Sequence, residues 1–159
     1  MIFGSTNDIR LLTHISREVV EDVIEQEVLC YKMDLQSSKP NLYGESIDRN
    51  YYTPVKLNCL ITRGDQSFSM KDYGPDLGRE ASFAFIKEML MEIPILIEVG
   101  DIMEWHNSFY EVDAVKENQL FVGKDAQYNL ENPNFGASFS IIADCHMTRG
   151  DRVGITQIR

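Results

Sequence analysis

The segment from Val99 to Lys124 constrains this chain more than any other, because it reads as two strands joined by a tight turn. A Gly100-Asp101 turn launches Ile102, Met103 and Trp105; His106-Asn107-Ser108 reverses the chain; Phe109, Tyr110, Val112 and Val115 carry it back. Apolar residues on both sides of a short polar reversal are hairpin chemistry. Nothing in the segment looks catalytic. Hairpins of this kind belong to small β-barrel modules whose usual work is assembly, so the sequence steers away from an enzyme.

The rest of the chain is read around that hairpin. A length of 159 residues fits a single domain, 1–159, able to bury a real core. A hydrophobic share of 43% and a charged share of 25% exclude wholesale disorder. From Thr6 to Gln26, Ile9, Leu12, Ile15, Val19 and Val23 recur at three and four, the stripe of an amphipathic helix, with Ser5, Thr6, Asn7 and Asp8 as possible N-caps. The stripe either packs on its own domain or docks on a neighbouring subunit. Glu27 to Met33 suits a strand or an extension of the helix. Tyr51 to Arg63 alternates through Tyr52, Val55, Leu57, Cys59 and Ile61 as a strand, with Pro54 marking an edge or bulge near its start. Phe83 and Phe85 favour a strand to about Ile86, followed by a turn of helix through Lys87 to Leu90, and Ala137 to Met147 forms a final strand. Three polar segments, 34–50, 64–79 and 123–136, are expected to be long loops, and 148–159 a C-terminal arm. The fold class is therefore mainly β with one N-terminal helix: a small antiparallel β-barrel of five to six strands, 27–147, with long loops.

Charge and cysteine usage narrow the function classes. With 25 acidic against 15 basic residues the net charge is -10, which opposes a tight sequence-independent grip on phosphates. Such acidity serves solubility, or lines a surface that DNA passes without sticking. Cys30, Cys59 and Cys145 are far apart, sit among apolar residues and lack zinc spacing, so reduced, buried thiols are expected. The N-terminus has neither the basic leader nor the apolar core of a signal peptide, and no apolar run reaches membrane-spanning length. The chain is expected to be made in the cytoplasm and to have no membrane partner.

A search for reactive groups finds no triad or metal motif. Asp144, Cys145 and His146 are adjacent in a strand, so Cys145 points away from both neighbours. Glu111 and Asp113 share one strand face, where they meet solvent, a cation or a basic partner. Gly74-Pro75-Asp76-Leu77-Gly78 lacks the spacing and the Lys-Ser/Thr ending of a phosphate loop. Trp105 and Tyr51-Tyr52 have no basic groove beside them of the kind that single-stranded nucleic acid needs, and Trp105 is expected in the core. No catalytic, metal-binding or cofactor-binding residue is assigned.

Several pieces then match in order and spacing. They are Asn41-Leu42-Tyr43-Gly44-Glu45, Tyr51-Tyr52 with the Val55 to Leu60 strand, Tyr73-Gly74-Pro75-Asp76 and Phe83-Ala84-Phe85. Val99-Gly100-Asp101-Ile102, Trp105, Tyr110-Glu111-Val112-Asp113, Glu117-Asn118-Gln119 and Phe121-Val122-Gly123-Lys124 complete them. Together they resemble the neck, or head-to-tail connector, proteins of contractile-tailed bacteriophages of the T-even and cyanophage kind. The resemblance spans about 41–124. It implies a structural virion protein without enzymatic activity or cofactor, made in the host cytoplasm and placed in the neck between head and tail. It also implies a homo-oligomeric ring, six copies favoured, with the portal or its adaptor above, the tail terminator or tail tube below, and double-stranded DNA passing through without sequence-specific binding. Such a ring helps close the channel and retain packaged DNA. Candidate ring contacts lie in the loops: Asn41, Leu42, Tyr43, Gly44, Glu45, Tyr73, Asp76 and Lys124. Other readings are a tail-terminator or other connector ring, a barrel that binds peptide on an edge strand and, in a different class, a small metal-dependent hydrolase using Glu111 and Asp113.

Overall fold

A computed structural model describes residues 6–40, 46–71, 74–120, 138–150 and 154. The chain begins with helix α1 (Thr6–Glu18), which widens into a π-helical stretch (Val19–Ile24) and ends at Glu25 in the left-handed region, φ 48°. Strands β1 (Glu27–Tyr31), β2 (Lys39–Pro40), β3 (Ser46–Asp48), β4 (Val55–Asn58), β5 (Leu60–Lys71) and β6 (Gly74–Ile86) follow. A short helix α2 (Lys87–Glu92) precedes β7 (Ile102–Trp105), β8 (Ser108–Leu120) and β9 (Ser138–Thr148).

Seven strands form one curled antiparallel sheet in the order β4-β1-β7-β8-β9-β6-β5, and β2-β3 form a small ribbon of their own. The first and last strands of that order are consecutive in the chain, with only Cys59 between them. The sheet therefore bends back on itself at Cys59, whose N–H donates to the Gln26 carbonyl at 3.0 Å. Leu57 and Cys59 are buried and Val55 and Ile61 pack on the same core, so the alternation expected for one strand runs unbroken through the bend. The strand count is seven rather than five to six because this one hydrophobic run serves both edges.

Val28, Cys30, Phe83, Phe85, Met103, Trp105, Tyr110, Val112, Ile141 and Ala143 fill the interior, drawn from five further strands. Alternation explains most of the list: on β9, Ile141, Ala143 and Cys145 are buried, and the residues between them are less so. The Phe83 and Tyr110 rings meet edge to face at 5.7 Å. The hairpin at the centre of the sequence is present. Its two-residue turn, His106-Asn107, has both φ values positive, 47° and 61°, the conformation whose twist suits adjoining antiparallel strands.

The most deeply buried polar residue among those described is Asp101, 1% exposed, at the mouth of that hairpin. Its carboxylate accepts from Lys32 Nζ at 3.0 Å, Glu98 N at 2.8 Å and Met33 N at 3.1 Å. Lys32 Nζ also donates to Glu98 Oε2 at 2.6 Å and to the Leu96 carbonyl at 2.8 Å. Gly100, at φ 94°, makes the turn that delivers Asp101, a conformation that side-chain-bearing residues rarely adopt.

Two of the three expected loops need revision. Segment 34–50 leaves and re-enters the sheet through a closed neck: Asp34 N donates to Asn50 O at 2.8 Å, and Met33 bridges to Tyr51. It carries the β2-β3 ribbon, while 41–45 lie outside the described residues. Segment 64–79 is no loop. It continues β5 and β6 as an antiparallel arm paired from Gln66↔Arg79 to Lys71↔Gly74. Gly74, Pro75 and Gly78 read as turn signals, yet among the described residues no strand other than β5 pairs with β6 on the N-terminal side of Glu80, where the missing N–H of Pro75 is tolerated. The third segment, 123–136, lies outside the described residues.

Two consequences can be measured. All three cysteines are buried and unpaired, and burial pushes the Cys30 and Cys59 thiols up to about 12 and raises Cys145 as well. Ellman's reagent at pH 8 should therefore find no thiol in the native protein and all three after denaturation. Replacing Lys32 by Met should lower the unfolding free energy in urea by about 3 kcal/mol, since it leaves the buried Asp101 carboxylate unpaired; adding Asp101→Asn should recover part of that loss.

Candidate functional site

The outer face of the sheet carries the groups most like a reactive cluster. Strand register sets Ser82 opposite Asp144 and Glu111 opposite His146. Ser82 Oγ donates to Asp144 at 2.7 Å, and Lys116 pairs with the same carboxylate. Lys116, then Ser82, hold the Asp144 carboxyl below its ordinary value. His146 Nδ1 lies 2.8 Å from both Asp113 oxygens, with both side chains about half exposed. Cys145 points inward between Asp144 and His146, as alternation requires.

Glu111 and Asp113 do not form a joint site. A bulge between Val112 and Ala114 interrupts the ladder there; Glu111 takes Arg49 at 2.5 Å and Asp113 takes His146. Each carboxylate thus already has a cationic or imidazole partner. Ser82 donates to a carboxylate that Lys116 holds in its charged form, which makes Asp144 a weak base toward it. Among the described residues no group of three or more His, Cys, Asp or Glu could hold a metal ion.

Trp105 has no open ring for a nucleic-acid base. It is 8% exposed, stacks on His106 at 4.4 Å and lies under the Arg63 guanidinium at 4.5 Å. Tyr51 packs beside the Tyr31, Ile102 and Phe109 cluster, and Tyr52 reaches the Asp34 carboxylate.

What stands open is apolar surface. The helix is fixed to the barrel through Val20 and Ile24, which pack with Ile86, Met89 and Phe139. Arg17 reinforces it, gripping Glu92 of α2 in a two-pronged contact at 2.6 and 2.8 Å and Glu21 at 3.1 Å. Those carboxylates raise the Arg17 pKa, and Arg17 lowers that of Glu92. The stripe read from the sequence is not the packed face. Leu12, Ile15, Val19 and Val23 are between 41% and 75% exposed. Beside the helix an open groove of about 970 Å³ is lined by Arg10, His14, Lys87, Met91 and Phe139, among others.

Of the contact residues chosen from the sequence, Asp76 lies on the β6 side of the arm, opposite Ser69. Asn41, Leu42, Tyr43, Gly44, Glu45, Tyr73 and Lys124 lie outside the described residues. Sequence reasoning missed the arm as an ordered element. The register offered a signal, because Phe68, Met70, Pro75 and Leu77 alternate with small and polar residues.

No protein-family model and no curated protein matches the chain. A chain in a solved structure described as the virion of a native gene transfer agent particle is similar at 6% identity and TM-score 0.44, over 77% of this chain and 94% of that one. No helix among the described residues is long and apolar enough to cross a membrane.

The pairing on the outer face predicts the behaviour of Glu111 and Asp113. Calorimetric titration with Mn²⁺ should give the same trace for the native protein and for Glu111→Gln or Asp113→Asn, while Glu111→Gln should lower stability by about 1 kcal/mol through the loss of Arg49. Carboxylate-dependent Mn²⁺ binding would restore the hydrolase reading.

Proposed function

We propose that this chain is a structural virion protein of a phage neck, without enzymatic activity, that forms a ring joining the portal or its adaptor to the tail and helps close the channel over packaged DNA. The observation that carries this reading is the distribution of apolar surface. The interior of the curled sheet is filled, yet one helix carries an uncovered aliphatic row and, among the described residues, one arm pairs only with itself. A small-molecule site is a concave, mostly apolar pocket with a few convergent polar groups; the exposed aliphatic row on the helix is instead a surface suited to another protein subunit.

The order of motifs between 41 and 124, with its resemblance to neck proteins, supports the same reading. So does the charge of -10, which suits a wall past which DNA slides during ejection. A ring places different surfaces of each copy in contact with its two neighbours, and closes when the rotation between copies divides a full turn. Six copies would match the symmetry expected of a neck ring.

Purified protein mixed with its portal and tail neighbours should give six-fold rings in negative-stain images, and no shift of a double-stranded DNA fragment at about 0.15 M salt. A protein that stays monomeric and joins neither portal nor tail would overturn the proposal.

A further inference from the structure

In a chain with 25 acidic and 15 basic residues, a cation ordinarily finds a carboxylate of its own. Arg17, Lys32, Arg49, Lys56 and Lys116 each hold at least one. Arg63 and Arg79 hold none among the described residues, and the fold brings these two together. Arg63 sits opposite buried Ala81, and Arg79 comes two residues before Ala81 on β6, so alternation puts both guanidinium groups on the inner face, at its rim. Diagonal neighbours of this kind stand about 7–8 Å apart, within reach of two long side chains.

The carboxylates adjoining this place in sequence are turned away from it. Glu80 lies between Arg79 and Ala81 and takes the opposite face, where a Cβ on Gly64 would stand 3.1 Å from its own. Glu104, next to Trp105, accepts from the Tyr31 hydroxyl at 2.6 Å. What meets the arginines instead is an aromatic ring. The Arg63 guanidinium lies 4.5 Å from the centroid of the Trp105 ring, a cation–π contact that fixes its position, and His106 stacks on that ring at 4.4 Å. Arg79 Nε and the indole Nε1 of Trp105, a residue 8% exposed, are buried donors with no hydrogen-bond partner. Such donors are rare in folded proteins. Here they coincide with two guanidinium groups that lack a carboxylate.

We infer that Arg63 and Arg79, beside Trp105, form a receptor for a carboxylate group. A guanidinium presents paired N–H donors that match the two oxygens of a carboxylate, and the cation–π contact holds one of the two guanidinium groups ready. Arg63 is exposed, so the group arrives from solvent. The net charge of -10 opposes any anion in proportion to its charge, which favours a singly charged carboxylate over a dianionic phosphate or a nucleic-acid backbone. The carboxylate belongs either to an Asp or Glu side chain of a second copy of this chain or to a small organic acid; both offer the same two oxygens. The receptor does not depend on the ring reading.

Trp105 is the single tryptophan, so the indole emission of the full chain reports on this place alone. Sodium propionate carries the carboxylate of a glutamate side chain. Titrated into dilute protein at constant ionic strength, it should move the emission along a saturable curve. Arg63→Gln and Arg79→Gln should each raise the half-saturation concentration about tenfold, the loss expected of one charged hydrogen-bonding partner. Midpoints are compared rather than amplitudes, because Arg63→Gln alters the emission by itself. Circular dichroism shows whether each variant is folded, and Arg79→Gln, which leaves the ring contact intact, carries the test if Arg63→Gln is not. Dilution of the native protein without propionate separates the two sources. An emission change on dilution that Arg79→Gln removes assigns the carboxylate to a second copy, and a response to propionate alone assigns it to a small acid; either sustains the receptor. A response to inorganic phosphate at lower concentration than to propionate overturns the carboxylate assignment. Emission that ignores both dilution and propionate, or responds equally in both variants, overturns the receptor.

Discussion

The ion pair between partly buried Lys32 and buried Asp101 is the constraint around which the start of the central hairpin is arranged. Lys32 follows β1, and Glu98 and Asp101 lie in the connection between α2 and β7, so one carboxylate ties the end of β1 to the entry of β7. Desolvation opposes the Lys32 charge, but the Glu98 and Asp101 carboxylates outweigh it and raise its pKa. Such a pair adds little net stability compared with an apolar substitute of the same shape, whereas losing one partner is expensive. Its effect is specificity. The Asp101 carboxylate can satisfy Met33 N and Glu98 N only if β1 and β7 pair in the observed register, and the Asp101 backbone carbonyl then receives Val112 N at 2.9 Å. A one-residue slip would turn Met103 and Trp105 away from the core.

That register explains why the central hairpin was legible in the sequence. Ile102, Met103 and Trp105 on one strand and Phe109, Tyr110 and Val112 on the other are all buried, and the polar His106-Asn107 pair marks the reversal. The end of β6 at Ile86 and the helical turn after it were equally readable, because Phe83 and Phe85 alternate and the next residues do not. Local pattern fixed these elements because the pattern and the tertiary packing ask for the same conformation. The split of one strand between two edges was not legible. Nothing in Val55 to Ile61 announces that Cys59 marks the corner, since alternation continues through it.

Two failures have a different cause. The arm was read as a loop because glycine and proline normally punctuate structure, and on an unpaired ribbon they do not. The helix stripe was legible as a stripe, but its destination was not. Periodicity reports that one face is apolar and says nothing about which body covers it. Here the anchoring row is Arg17, Val20 and Ile24, a mixed row that no hydrophobic pattern would single out. The π-helical widening over Val19–Ile24 contributes, because it rotates Val20 and Ile24 toward Ile86 and Met89 while Val23 is left 75% exposed. Of the candidate site, the alternation of Asp144, Cys145 and His146 was readable, and the partners of Glu111 and Asp113 were not, since Arg49 and His146 reach them from distant segments.

These facts separate what makes the chain fold from what makes it associate. The curled sheet, a half-barrel, packs on its own residues: all three cysteines, the Phe83 and Tyr110 pair and the Asp101 knot lie within it and need no second copy. The helix row Leu12, Ile15, Val19 and Val23 contributes little to that interior. Substitutions on them alter surface without opening a cavity, so their effect on stability should be small and their effect on association large. Under the proposed ring reading that division is useful. A subunit must survive as a soluble monomer before its neighbours are present, and a net charge of -10 keeps such monomers apart until apolar surfaces meet in register. Long-range repulsion between like-charged copies is screened beyond about 8 Å at physiological salt, whereas contact between aliphatic rows acts only when they touch. In the proposed ring, copies with these two features would ignore one another at a distance and adhere only where apolar surfaces touch.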